Sequence, residues 1–241
     1  MAKGNWRDDL QRDLKRIMKE KGPAEFLDVA SAMLDVKAGT NGEFKAQFVG
    51  QVCETVLLCL TQKYLEETGR EGVAFPSAVL KDPRDLKNST PTELDFVLVT
   101  PGFFLTTECK SFAREINIVA PCTFVRQDFK ADIYGQSKLH YDRLRLYGEQ
   151  LMLPGKAMPK PPVFANAFVF SNAVVNDRRT AEDRKKLTVL TTSTLFDYYD
   201  RAFAKYSTEV FDYERAKKVI GTLSRSRKLH QQHRDHLGYD N

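Results

Sequence analysis

The chain has 241 residues, of which 42% are hydrophobic and 29% are charged, so a disordered or fibrous protein is excluded. A net charge of +5 permits a polyanionic partner without requiring one. No apolar run approaches the roughly 20 residues of a membrane helix, and the N-terminus shows no apolar signal core. We therefore expect a cytoplasmic protein without a membrane partner.

The first 40 residues are predicted to form a helical extension. Apolar residues recur at helical spacing within the charged segment 5–20, and the Gly22-Pro23 break separates it from a second helix at 24–36. A linker at 37–42 follows. We expect any contact with a second copy or with a protein partner to involve this extension, residues 1–40.

Helices and strands then follow one another along the chain. A long helix is predicted at 43–67, with strands at 73–79, 94–100 and 103–110. After a loop-rich stretch near Ile116, Ile118 and Val119, further elements are predicted at 131–151 (helix), 163–170 and 187–191 (strands), and 194–207 and 208–223 (helices). This order predicts an α/β layered domain with a mixed sheet flanked by helices.

Pro101-Gly102 separates two apolar strands and predicts a β-hairpin. Proline at the first turn position excludes the type I′ turn that two-residue loops prefer, so a four-residue loop is the alternative. Both loops give the same register, in which Thr100 pairs with Phe103. The register can therefore be followed back along both strands.

That register places Asp95 directly across from Glu108, with Cβ atoms about 5 Å apart. Lys110 lies two residues beyond Glu108 and emerges on the same face. Two facing carboxylates repel each other, and a divalent cation would turn the repulsion into binding energy. Carboxylate ligands suit Mg²⁺ or Mn²⁺, and a neighbouring lysine could orient a metal-bound water. The alternative is a solvent-facing ion pair on an amphipathic hairpin.

The hairpin resembles the central signature of the nuclease-related domain, NERD, in the PD-(D/E)xK nuclease superfamily. The matching segments are Thr92-Glu93-Leu94-Asp95 and Glu108-Cys109-Lys110. Gly50-Gln51-Val52-Cys53-Glu54 resembles an upstream Gly-x-x-Gly-Glu element, with Cys53 in place of the second glycine. Gln136 resembles a downstream glutamine motif, with His140 and Leu144 following on the same helical face. The resemblance covers roughly residues 43–200.

This resemblance implies a restriction-endonuclease-like core and Mg²⁺- or Mn²⁺-dependent hydrolysis of phosphodiesters, as an endonuclease acting on DNA rather than RNA. By analogy, Asp95 and Glu108 bind the metal together with the backbone carbonyl of Cys109. Lys110 serves the attacking water, Glu54 approaches the metal from its helix, and Gln136 borders the site. The domain organisation is then a helical extension (1–40), a nuclease domain (43–200), and a C-terminal helix with a basic tail (201–241).

Two other functions stay open from the sequence. One is a catalytically inactive nucleic-acid-binding module on the same fold, and the other is an interaction protein with purely structural ion pairs. The tail 225–241 is expected to be a mobile terminus that could contact phosphates rather than a zinc site, although it contains His230, His233 and His236. His140 is expected to be structural, with a phosphate contact as its alternative.

Cysteines and aromatic residues favour structural roles. Cys53, Cys59, Cys109 and Cys122 form no CxxC pair, so reduced and mostly buried thiols are expected. The aromatic residues between 196 and 213 could stack on bases, but packing in the core is the stronger interpretation.

Overall fold

The computed structural model describes residues 6–35, 42–126, 129–156, 158 and 160–237. Most of the predicted linker and the last four residues of the basic tail lie outside these ranges. Within them, no helix is both long enough and apolar enough to cross a membrane.

The described ranges contain eight helices and nine strands. The helices are α1 (Trp6–Lys21), α2 (Pro23–Leu34), α3 (Gly42–Thr68), α4 (Ile133–Gln150), α5 (Ala181–Lys186), α6 (Leu195–Lys205), α7 (Tyr213–Ser224) and α8 (Arg227–Leu237). The strands are β1 (Val73–Leu80), β2 (Thr92–Val99), β3 (Phe104–Phe112), β4 (Ile116–Val119), β5 (Thr123–Arg126), β6 (Phe129–Asp132), β7 (Val163–Ser171), β8 (Val175–Asp177) and β9 (Thr188–Leu190).

The main sheet has five strands in the order β1-β2-β3-β7-β9. The pairs β1–β2 and β2–β3 are antiparallel, whereas β3–β7 and β7–β9 are parallel. Parallel neighbours require a crossover, and α4 lies within the one between β3 and β7. The predicted mixed sheet of an α/β fold is confirmed.

Helices cover both faces of the main sheet. On one face, α1, α2, α3 and α6 share a core with side chains of β2, β3 and β7, including Phe26, Phe96 and Tyr199. On the other face, α4 and α7 pack on β1, β2 and β3 around Val97 and Leu144. The apolar faces of α1 and α2 are therefore covered by the rest of this chain.

A second, four-stranded sheet was not predicted. The sequence favoured loops around Ile116, Ile118 and Val119, but β4, β5 and β6 form a meander, and β8 pairs with β4 in parallel. These strands have three or four residues each, too few for a clear alternating pattern. They are stabilised by packing against the main sheet, where Ile116, Ile118 and Phe124 are fully buried.

The basic tail is not a mobile terminus within the described residues, because it forms helix α8. In this helix, His233 contacts residues far away in the sequence. Its Nδ1 lies 3.1 Å from the Pro91 carbonyl oxygen, and its Nε2 lies 3.7 Å from Glu93 Oε2. The tail lacks an apolar stripe, so hydrophobic periodicity alone could not predict this docking.

Two structural expectations are confirmed. All four cysteines are reduced and buried. The aromatic side chains of α6 and its neighbours pack in cores, with Tyr199 and Phe211 fully buried and Phe211 stacked on Phe104 at 3.9 Å between ring centres. The fully buried rings of Tyr199 and Phe211 are therefore unavailable as base-stacking platforms.

Candidate active site

The predicted register of the β2–β3 hairpin is confirmed. Val99 pairs with Phe104, and the ladder continues to Phe96 and Thr107. At the turn, the Thr100 N–H donates to the Phe103 carbonyl oxygen at 3.0 Å, as expected when these two residues are paired. The regular ladder ends there, and the next residues are Asp95 on β2 and Glu108 on β3.

Asp95 lies where regular pairing of β2 ends. Its Oδ2 accepts a hydrogen bond from the backbone N–H of Cys109 at 2.8 Å, so the side chain reaches across to β3. Leu94 and Val97 both point into the core beneath α4 and α7, whereas strict alternation would place them on opposite faces. The strand is therefore irregular between them, and this irregularity contains Asp95.

The neighbouring strand is irregular at the same level. Pro76 pairs with Phe96 and Ala78 with Leu94, while Ser77 between them has φ 50°, a left-handed conformation that is unfavourable for a side chain with a Cβ. The Ser77 hydroxyl donates to Oε2 of Glu54 on α3 at 3.0 Å. The bent strand thus links the helix carboxylate to the hairpin.

Glu54 is half-buried and lies in the field of other carboxylates. Burial raises its pKa well above the usual value, and the charges of Asp95 and Glu93 raise it further, while the Ser77 hydrogen bond lowers it. The structure therefore brings the predicted helix carboxylate to the hairpin. Its charge interacts with that of Asp95.

Glu108 is 4% exposed and has a cationic or polar group at each oxygen. Lys110 Nζ donates to Oε1 at 2.5 Å. His140 Nδ1, on α4, lies 3.1 Å from Oε2, although the contact is bent away from an ideal hydrogen bond. Glu108 and Lys110 thus share a face, as predicted, and His140 is brought to the same carboxylate.

The two hairpin carboxylates have opposite pKa shifts. Burial raises the pKa of Asp95 to about 7, and the charge of Glu108 adds to the shift. Burial alone would also raise the pKa of Glu108, but contacts with His140 and Lys110 outweigh it and lower this pKa to about 2. Near neutral pH, Glu108 is therefore ionised while Asp95 is partly protonated.

A hard divalent cation fits the donor set of this site only in part. The described residues contain no group of three histidine, cysteine or acidic side chains arranged to hold a metal ion. Half-buried Asp95 and buried Glu108 nevertheless provide two carboxylates on neighbouring strands, and Mg²⁺ typically takes one or two carboxylates and keeps its waters. Asp95 and Glu108 therefore match the number of protein carboxylates that Mg²⁺ typically takes.

A cleft of about 840 Å³ opens beside the hairpin, and Cys109 and Lys110 lie in its wall. Gln136, which is exposed at the start of α4, also lines it. Its charged lining residues are Lys45, Lys110, Arg114 and Arg126. The lining contains no carboxylate among the described residues, so the cleft favours anions.

Glu108 and Lys110 share a face as their spacing predicts, whereas the contacts of His140 and Ser77 were not predicted. His140 follows Gln136 by one helical turn, and this spacing was the available signal for a side chain facing the same site. Ser77 gave no signal, because its contact with Glu54 depends on the irregular backbone of β1.

Variants of Ser77 separate its backbone conformation from its hydrogen bond. We expect Ser77→Ala to lower the free energy of unfolding by about 1 kcal/mol, because Glu54 loses a donor while the left-handed backbone remains. Ser77→Gly loses the same donor but relieves the backbone, so it should be about 1 kcal/mol more stable than Ser77→Ala. Urea unfolding at pH 7 measures both. An alanine variant as stable as the glycine variant would contradict the strain at this position.

Comparisons with known proteins give little similarity. No protein-family model matches the chain, and no curated protein matches it. The crystal structure of protein VC1899 from Vibrio cholerae is similar with a TM-score of 0.41 and 12% sequence identity, over 83% of this chain and 50% of that one. This chain therefore spans about half the length of that protein. The functional proposal depends on the residues of the site.

Proposed function

We propose that this protein is a metal-dependent nuclease that hydrolyses phosphodiester bonds, with DNA as its preferred substrate. The observation that carries the proposal is the pair of neighbouring carboxylates, half-buried Asp95 and buried Glu108, next to Lys110, which lies in the wall of a basic cleft. Holding two like charges side by side and largely away from water is costly, and such an arrangement is typical of sites that use the charge.

In this proposal Asp95 and Glu108 hold Mg²⁺ or Mn²⁺, with the Cys109 carbonyl as a further ligand and Glu54 nearby. The metal, when bound, polarises the phosphate and lowers the pKa of a bound water. Lys110 pairs with Glu108 in this structure. With Glu108 holding a cation, the lysine ammonium would be available to orient the water or to stabilise charge on the phosphate.

The basic cleft supports a polyanionic substrate. Lys45, Arg114 and Arg126 extend positive charge away from Lys110, and the amide of Gln136 adds a neutral hydrogen-bonding group. Lysine and arginine contacts to phosphates are independent of base sequence and strongly dependent on salt. The lining therefore suits a nucleic-acid backbone better than a small neutral substrate.

The resemblance to NERD and the PD-(D/E)xK superfamily supports the same proposal. An acidic residue on one strand and Glu-x-Lys on the next are brought together by the hairpin, and Glu54 approaches from α3. On this basis we propose a restriction-endonuclease-like core. The inactive binding module is the second candidate, because both oxygens of Glu108 are in contact with other side chains, those of Lys110 and His140.

Cleavage assays on the full chain test the proposal. Closed circular plasmid, linear duplex, single-stranded DNA and RNA are incubated with the protein in Mg²⁺, Mn²⁺ or EDTA. We expect metal-dependent nicking of the plasmid, which reports endonuclease activity, and a loss of more than about 100-fold in Lys110→Ala. Lys217→Ala is the matched control, because this lysine pairs with Glu214 on α7, outside the site.

The same assays distinguish the alternatives. If the protein binds DNA in a salt-dependent manner but cleaves it in neither metal, the inactive binding module is supported and the nuclease proposal is contradicted. If the protein neither binds nor cleaves any of the four substrates at low salt, the nuclease proposal is overturned.

A further inference from the structure

The buried carboxylate of Glu108 contacts two side chains, and one of them can be displaced from it more easily than the other. Lys110 is 25% exposed in its side chain and lies in the wall of the basic cleft. The His140 side chain is 10% exposed and is not among the residues that line this cleft. Displacing Lys110 from Glu108 moves an ammonium towards solvent, whereas displacing His140 would disturb packed structure.

Helix α4 fixes the imidazole in place. The helix begins at an N-cap in which Asp132 accepts from the Gly135 N–H at 2.9 Å. One turn beyond His140, Leu144 is fully buried against the sheet, and Tyr147 follows in the same core. The histidine is therefore carried on a rigid element that packs directly on the strand of Glu108.

Glu108 Oε2 and His140 Nδ1 have no other hydrogen-bond partner among the residues that the structure describes. A buried carboxylate oxygen without a donor is costly, so this 3.1 Å contact is the interaction that can satisfy it.

We propose that His140 is a positioning residue that holds Oε2 of Glu108, so that Oε1, the oxygen now paired with Lys110, is the one released to the metal. This inference rests on the proposed function. Carboxylates that bind metals are commonly held by a second hydrogen-bonding residue, and loss of that residue typically weakens metal binding by about 10- to 100-fold. Both the neutral Nδ1–H tautomer and the imidazolium can donate this bond, so the role does not require a change of protonation.

Three substitutions separate the donor position from the mere presence of a polar side chain. In His140→Asn, the amide nitrogen can occupy the place of imidazole Nδ1. In His140→Gln, the amide lies further out, near the place of Nε2, and His140→Ala removes the donor. We expect the asparagine variant to retain Mn²⁺ affinity within a few-fold of wild type, and the other two to lose about 10- to 100-fold.

Isothermal titration calorimetry of the metal-free full chain with Mn²⁺ measures these affinities. Glu108→Gln is the control that removes the proposed metal-binding carboxylate. Thermal unfolding without metal confirms that each variant is folded. Because His140→Gln is nearly the size of histidine, it keeps the comparison available if the alanine variant unfolds.

Each outcome has one meaning. Equal Mn²⁺ affinity in all three variants, or an asparagine variant as weak as the glutamine variant, would overturn the role of His140 and leave the nuclease proposal intact. If the wild-type protein binds no Mn²⁺, the nuclease proposal fails and this inference fails with it.

Discussion

Asp95→Asn is expected to abolish metal-dependent cleavage and, in the same molecule, to stabilise the metal-free protein above pH 7. Asparagine has nearly the shape of aspartate, and its carbonyl oxygen can still accept the hydrogen bond from the Cys109 N–H. What it removes is the negative charge beside Glu108. We expect cleavage to fall by more than about 100-fold, because the metal loses a charged ligand.

The stability effect follows from the sign of the pKa shift. The pKa of Asp95 is raised from 3.8 in a free side chain to about 7 in the folded protein, so the folded state binds this proton more tightly than the unfolded state. Stability contributed by Asp95 is therefore complete below pH 3.8 and is lost as pH rises towards 7. Above pH 7 the folded protein holds an unfavourable charge, and Asp95→Asn removes it.

Unfolding at two pH values measures this effect. At pH 8 we expect Asp95→Asn to be more stable than wild type by at least about 1 kcal/mol, or about 2–4 °C in Tm for a chain of this size. At pH 5 most of the difference should vanish. Asp142→Asn, at an exposed position on α4, is the matched control and should change neither quantity. An Asp95→Asn protein that cleaves normally, or that is less stable at pH 8, would contradict the site.

Gly102→Ala is expected to destabilise the protein by about 3 kcal/mol, which corresponds to about 6–12 °C in Tm. A Cβ at this position would lie 1.9 Å from the backbone carbonyl oxygen of Tyr206, far closer than atoms in contact can approach. That oxygen belongs to the main chain, so no rotation of a side chain relieves the overlap. The hairpin turn would have to move away from the segment that follows α6.

The turn is also held from the other side. The backbone N–H groups of Val210 and Phe211 both donate to the Pro101 carbonyl oxygen, at 3.0 and 3.1 Å. Displacing Gly102 therefore strains these hydrogen bonds as well as the hairpin that positions Asp95 and Glu108.

Gly50→Ala is the matched control for thermal unfolding. A Cβ at Gly50 would meet no atom within 4 Å, and the residue lies inside helix α3, where alanine is favoured over glycine by about 1 kcal/mol. We expect this variant to be at least as stable as wild type. A Gly102→Ala protein with wild-type Tm would show that the turn does not pack against Tyr206.

Features that depend on residues close together in the chain could be predicted from the sequence. The apolar strands around Pro101-Gly102 predicted the register that the structure shows from Val99–Phe104 to Phe96–Thr107, because the turn sets the pairing. Asp95 and Glu108 are the next residues beyond that ladder. Periodicity placed Lys110 on the face of Glu108 and predicted the long helix that carries Glu54.

The contacts that these residues make with distant parts of the chain became visible in the folded structure alone. Ser77 reaches Glu54 through an irregular backbone, His140 meets Glu108 across the packing of α4 on β3, and α8 docks through polar contacts. The strands β4 to β6 are too short to show a pattern. Such contacts join residues far apart in the chain, and their stability comes from burial and long-range pairing, which local periodicity does not encode.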